Sequence, residues 1–170
     1  MGDAFTVRGL LPEEWQAYRA IRLRALEDAP DAFGATLAEA QAWPIEEWPA
    51  RLARAAVSGI DCPLGAEADG ELVGLGWAKV DARDGGIVNL YQMWVAPEWR
   101  GRDVAGALLG AALDWAEARG ARCMELGVNC ANAGAIRLYE RAGFVAVDAP
   151  YPMRPGAALL EQRMRLRFPL

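Results

Sequence analysis

The stretch that most constrains this chain runs from Ile87 to Arg119. An apolar run, Ile87 to Val95, leads into a compact turn carrying Arg100, Gly101 and Arg102, and a helical pattern leaves it at Val104. A mostly apolar strand is buried on both faces, so it belongs near the middle of a sheet. The helix that follows must pack back onto that sheet, which requires a strand–helix–strand crossover. The next apolar run, Arg122 to Val128, supplies the returning strand. A helix start presents free backbone N–H groups and the positive end of a dipole, so the turn is a natural seat for phosphate.

The rest of the chain can be placed around this unit. Ala4 to Arg8 alternates as a short first strand. Pro12 opens a helix in which Trp15, Tyr18, Ile21, Ala25 and Leu26 form one apolar stripe. Arg22 falls inside that stripe, either snorkelling past its neighbours or facing a site. Asp28 to Gly34 breaks the helix, and helical segments follow at Leu37 to Ala42 and Ile45 to Ala56, the second strained at Pro49. Asp69-Gly70 turns a hairpin between Pro63 to Asp69 and Glu71 to Val80. After the central unit, Asn132 caps a helix to Ala142, Phe144 to Val147 is a strand, Tyr151 to Gly156 is a proline-rich loop, and Leu160 to Phe168 is a final strand. The two crossovers imply parallel neighbours, and the hairpins imply antiparallel ones. The result is one α/β domain over residues 1–170, with a mixed sheet covered by helices on both faces.

Composition narrows the chemistry. A 54% hydrophobic and 24% charged chain is that of a soluble globular protein, expected in the cytoplasm. No apolar run approaches the roughly 20 residues that span a bilayer. The start lacks a secretory layout, and the match of Gly2 and Thr6 to a myristoylation pattern is too short to imply an anchor. The net charge of −5 disfavours a nucleic-acid surface. Cys62, Cys123 and Cys130 read as free thiols, and with no histidine in the chain they give no metal ligand set. The lack of histidine also removes every Ser–His or Cys–His relay.

The turn reads Arg100-Gly101-Arg102-Asp103-Val104-Ala105, and farther on Asn132 is followed by Leu138-Tyr139-Glu140 and Gly143-Phe144. These two motifs, between a strand and a helix in each case, resemble the GNAT N-acetyltransferase superfamily, closely over Ile87 to Val147. The resemblance implies a mostly antiparallel sheet of about seven strands, splayed at its two central strands. It implies acetyl-CoA as co-substrate, with Arg100, Gly101, Arg102, Asp103, Val104, Ala105 and Gly106 around the pyrophosphate. Backbone groups of Met93, Trp94 and Val95 would face the pantetheine arm, and Asn132 would contact it. Tyr139 would stand near the thioester sulfur as the acid for the departing thiolate. No metal is implied. The acceptor would be a small-molecule or peptide amine, and Phe33, Trp43 and Trp48 lie in the region that shapes its pocket. GNAT domains often pair, and the alternating final strand is compatible with a homodimer interface.

Two positions depart from the family pattern. Asp103 stands where glycine is usual; it reads either as a helix N-cap facing solvent or as a charge that weakens coenzyme A binding. Gly127 stands where members acting on protein N-termini carry a glutamate base. Glu125, two residues earlier and so on the same strand face, is the candidate substitute or else a solvated strand end, and Gln92 is a further polar residue near the slot. Asn132 and Tyr139 each also have a plain structural reading, as cap and as core residue. Cys130 lies near Asn132 and is expected to be inert. The leading reading is direct acetyl transfer to an amine. The alternative is a coenzyme A or acyl-CoA-binding protein with little catalysis.

Overall fold

In the computed structural model, which describes residues 4–169, each helix carries one apolar stripe and each inner strand two apolar faces. The order is β1 (Thr6–Gly9), α1 (Trp15–Asp28), α2 (Leu37–Gln41), α3 (Glu47–Ser58), β2 (Asp61–Ala68), β3 (Glu71–Val80), β4 (Ile87–Val95), α4 (Val104–Ala118), β5 (Cys123–Asn129), α5 (Ala133–Ala142), β6 (Val145–Pro152) and β7 (Leu160–Arg167). Gly2 lies outside the described residues. Pro49, read from the sequence as a strain, sits in the first turn of α3, where no backbone N–H is required.

The strands form one seven-stranded sheet, β1-β2-β3-β4-β5-β7-β6, and only β4 and β5 pair in parallel. One expectation is corrected. The crossover through α5 does not place β6 beside β5, because β7 is inserted between them. The cause is in β6 itself. Pro150 and Pro152 cannot donate to a ladder on two sides, which confines that strand to the sheet edge. The loop read at Tyr151 to Gly156 is corrected with it: Tyr151 and Pro152 still pair with Glu161 and Leu160.

Two cores lie on opposite faces. On one, Val104, Leu108, Leu109, Ala112 and Ala116 of α4 pack on Val88, Leu90, Met124 and Leu126, joined by Tyr139 and Phe144. On the other, Tyr18, Ile21, Ala25 and Leu26 of α1 and Trp48, Leu52 and Ala55 of α3 pack on Leu75, Trp77 and Trp94.

The feature that positions the site is a break in the central ladder. Parallel pairing runs from Ile87↔Cys123 to Leu90↔Leu126 and then stops. On the other side of β4, the register with β3 shifts between Leu75↔Trp94 and Trp77↔Tyr91, so Gln92 and Met93 together oppose Gly76. Gln92 takes a left-handed backbone, φ 62°. Gly76 leaves room for the Met93 sulfur, which a Cβ there would meet at 2.9 Å. This is a β-bulge; it bends β4 and parts it from β5.

Candidate active site

A cavity of about 1170 Å³ is lined by residues of both cores, Leu90, Leu126 and Tyr139 from one and Phe33, Trp48 and Trp77 from the other. It therefore passes through the gap where β4 and β5 part. Beyond Leu90, the backbone groups of β4 that would pair with β5 have no strand partner among the described residues. Met93 lines this cavity. The Trp94 side chain turns the other way, where its indole N–H donates to Asp28 at 3.0 Å, and Val95 packs in the α4 core.

The turn after β4 stands outside the cavity lining. Arg100 donates to the Asp28 carboxylate at 2.7 Å and to the Val95 carbonyl at 3.0 Å. The Trp94 indole, with Arg100, holds the Asp28 carboxyl below the usual carboxylate range. Arg100 thus braces the turn against the end of α1, and Asp28 is a residue that sequence reasoning missed. Arg102 lies over the Trp99 ring, 4.6 Å from its centroid. Asp103 is at the N-cap position of α4 with φ 62°, yet its side chain makes no capping hydrogen bond. The left-handed backbone explains why glycine suits this place. The Asp103 carboxylate lies directly above Gly106, in contact with the position a Cβ there would take.

Tyr139 is buried and lines the cavity, held edge-on to Phe144 at 5.7 Å. Burial pushes its hydroxyl up to about 12, so it keeps its proton through neutral pH. Asn132 caps α5 by accepting from the Ala135 N–H at 3.1 Å and also lines the cavity, so the cap reading and the site reading coexist. Glu125 lines the cavity too, but its carboxylate is taken by Arg165 of β7 at 2.7 Å. Gly127 does not leave its place empty: the Glu161 carboxylate of β7 fills it, with Cδ 2.5 Å from where a Cβ would stand. Burial, and then the hydrogen bond to Glu161, push the nearby Tyr151 hydroxyl up to about 12. Glu161 is the second residue sequence reasoning missed. Alternation along the last strand puts it on one face with Arg163 and Arg165, but only the β5–β7 register brings it over Gly127.

On the other side of the gap, Phe33, Trp43 and Trp48 all line the cavity, as do Gln92 and Gly127. The Trp43 and Trp48 rings are 4.8 Å apart. Arg154 holds the Phe33 carbonyl at 3.1 Å, and Asn129 donates to the Asp31 carbonyl at 2.7 Å, which fixes this segment against the sheet. Tyr18 donates to Gln92 Oε1 at 2.8 Å, pinning the bulge. Arg22 does not snorkel to water: it is buried and lines the cavity with Arg51. Cys130 is an exposed free thiol.

Comparison with known proteins agrees with this geometry. The profile of the acetyltransferase (GNAT) family matches residues 15–144. A mycothiol acetyltransferase from Thermobispora bispora is 36% identical over 145 residues, covering 80% of this chain and 45% of that protein. The chain thus spans less than half the length of that relative. Among solved structures, a GNAT-family acetyltransferase from Streptococcus pneumoniae superposes with a TM-score of 0.83 at 22% identity, covering 97% of this chain and 100% of the other. The spermidine N-acetyltransferase of Vibrio cholerae, solved with CoA and spermine, superposes with a TM-score of 0.77 at 18% identity over 96% and 95% of the two chains.

Proposed function

Because this chain belongs to the acetyltransferase (GNAT) family, we propose that it moves an acetyl group from acetyl-CoA directly to a primary amine of a small molecule. The observation that carries this reading is the ladder break after Leu90↔Leu126, with a protonated Tyr139 lining the same gap. The residues present fit the co-substrate in chemistry. The turn Arg100 to Gly106 with the α4 N-terminus offers N–H donors and the positive end of a helix dipole to phosphates, with Arg100 bracing the turn. The open edge of β4 from Met93 to Val95 offers backbone groups to an amide-bearing arm, and Asn132 lies beside the gap. Bound acetyl-CoA supplies a thioester, an electrophilic carbonyl with a thiolate leaving group. Tyr139 holds a proton on Oη and gives it to that thiolate as the C–S bond breaks and the new C–N bond forms. The open N–H groups of β4 stabilise negative charge on the carbonyl oxygen. Glu161, rather than the ion-paired Glu125, accepts the amine's proton, directly or through a water. Transfer is direct, since a chain without histidine has no Cys–His or Ser–His relay. The rings of Phe33, Trp43 and Trp48 receive the acceptor.

One observation favours the second reading, a coenzyme A-binding protein with little catalysis: the Asp103 carboxylate above Gly106 adds a negative charge to the turn proposed to receive the phosphates. Incubation with acetyl-CoA and a panel of primary amines separates the two. Acetylated amine detected by mass spectrometry supports transfer. Acetyl-CoA binding without product across the panel supports the second reading.

A further inference from the structure

Arg22 is a charged group that the proposed chemistry leaves unused. It belongs to the buried stripe of α1 and is only 7% exposed. Its guanidinium lies over the Phe33 ring, 4.7 Å from the centroid. Its Nη1 has no hydrogen-bond partner among the described residues. None of the ion pairs among the described residues includes Arg22 or Arg51. Burial acts against its protonated form, opposed in part by Tyr18 and aided less by the like charge of Arg51. Arg51 lines the same cavity, stacked on Trp43 at 4.2 Å. Of the other cations of the lining, Arg165 pairs with Glu125, Arg54 with Glu47, Arg163 with Asp148 and Lys79 with Asp61, while Arg83 is exposed and so keeps its hydration.

A desolvated guanidinium with an unmet donor is costly, and a ring face offsets only part of that cost. Arg22, buried with an unmet donor, and Arg51, half-buried, both line the cavity and neither is given a carboxylate, so an anion entering there would meet a need the protein leaves open. The acceptor side is where that anion would come from, because Arg22 and Arg51 sit with Phe33 and Trp43, away from the turn at Arg100.

We propose that Arg22, assisted by Arg51, binds an anionic group of the acceptor, so that the amine acetylated by this protein also carries a carboxylate or a phosphate. This rests on the acetyl-transfer reading and narrows its substrate class. A planar guanidinium fork suits both anions.

The test uses matched amines: L-leucine against isoamylamine, β-alanine against ethylamine, and O-phosphoethanolamine against ethanolamine. Wild type, Arg22→Met, Arg22→Lys and Arg51→Met are compared in acetyl transfer. Binding of the same amines to the wild type is measured by calorimetry without acetyl-CoA. The expected result is a preference for the anionic member of at least about tenfold in kcat/KM, carried by KM, the scale of one charge-assisted hydrogen bond. That preference falls toward one in Arg22→Met and recovers in part in Arg22→Lys. The intrinsic reactivity of each amine cancels in the ratio of wild type to variant. Preference confined to the amino acids identifies a carboxylate, and preference confined to O-phosphoethanolamine a phosphate. Neutral members that bind and react as well as the anionic ones overturn the inference. So does a preference unchanged in all three variants. If Arg22→Met does not fold, the wild-type preference and Arg51→Met decide. Anionic members that bind in the calorimeter without any transfer uphold the inference and overturn the transfer reading instead. No binding by any anionic member, with or without transfer, overturns the inference.

Discussion

The two faces of the sheet are built from different materials. Under α4 and α5 the buried side chains are aliphatic: Val88, Leu90, Leu108, Met124 and Leu126, with Tyr139 and Phe144 at the margin. Under α1 and α3 a cluster of rings is set among the aliphatic residues: Tyr18 meets Trp48 at 5.9 Å and Trp77 at 5.8 Å. Cations lie over the rings of that second face, Arg22 on Phe33, Arg24 on Trp94 and Arg51 on Trp43. Aliphatic packing is non-directional and rewards area, so the first face serves to hold α4 and α5 at the gap. Rings and guanidinium groups have orientation and unspent polar capacity, so the second face suits recognition. The gap between β4 and β5 joins the two, and Tyr139 is the polar atom that the aliphatic face presents to it.

The largest expected effect should fall on stability from the first face and on substrate from the second. Leu108 is fully buried, so Leu108→Ala is expected to cost about 2–5 kcal/mol, read as a lower thermal midpoint, with kcat/KM of the folded fraction kept. Trp43, half-exposed, is expected to behave oppositely in Trp43→Ala: a small stability loss, and an acceptor KM raised about tenfold. Equal behaviour of the two variants would break the division. Next in size is an alkaline effect seated on Tyr139. Its folded-state value near 12 exceeds the ordinary value of 10.0, so the folded state holds the proton more tightly. The stability this gives is fully present below pH 10 and is lost as pH rises toward 12. Denaturant unfolding across that range should show the loss at about 1.4 kcal/mol per unit of displacement, and a smaller loss in Tyr139→Phe. The smallest effect is local to the turn. Asp103→Gly relieves a left-handed non-glycine backbone, worth about 1 kcal/mol, and removes a carboxylate from above Gly106. Titration with acetyl-CoA should show severalfold tighter binding, and equal or weaker binding would show that the Asp103 carboxylate does not oppose the co-substrate.

The same division governs what the sequence reveals. The span Ile87–Val95, the cap at Asn132 and the end of α5 at Ala142 are legible because strand burial, side-chain capping and a terminal glycine are local rules. The whole turn from Arg100 to Gly106 is legible for the same reason. What escapes is set by pairing between distant segments. Insertion of β7 beside β5 depends on the edge prolines of β6, and it alone brings Glu161 over Gly127 and Arg165 onto Glu125. Asp28 looks like part of a helix-breaking segment until Arg100 and Trp94 are seen to meet on it. Arg22 shows the limit most clearly. Its helical spacing places it in the apolar stripe, but whether such an arginine reaches water depends on what α1 packs against, here Phe33 and the cavity.

The account's central claim is that the parted strands hold acetyl-CoA with Tyr139 as the acid for its thiolate. The most direct measurement is thiol release from acetyl-CoA, driven by an accepted amine, in the wild type and in Tyr139→Phe. Removing one hydroxyl leaves the edge-on packing with Phe144, so the thermal midpoint below pH 10 and the acetyl-CoA titration should be unchanged. The account predicts that amine-dependent release falls by about 10²–10⁴-fold in kcat, the range of a lost general acid. Release in the variant equal to that of the wild type would contradict it.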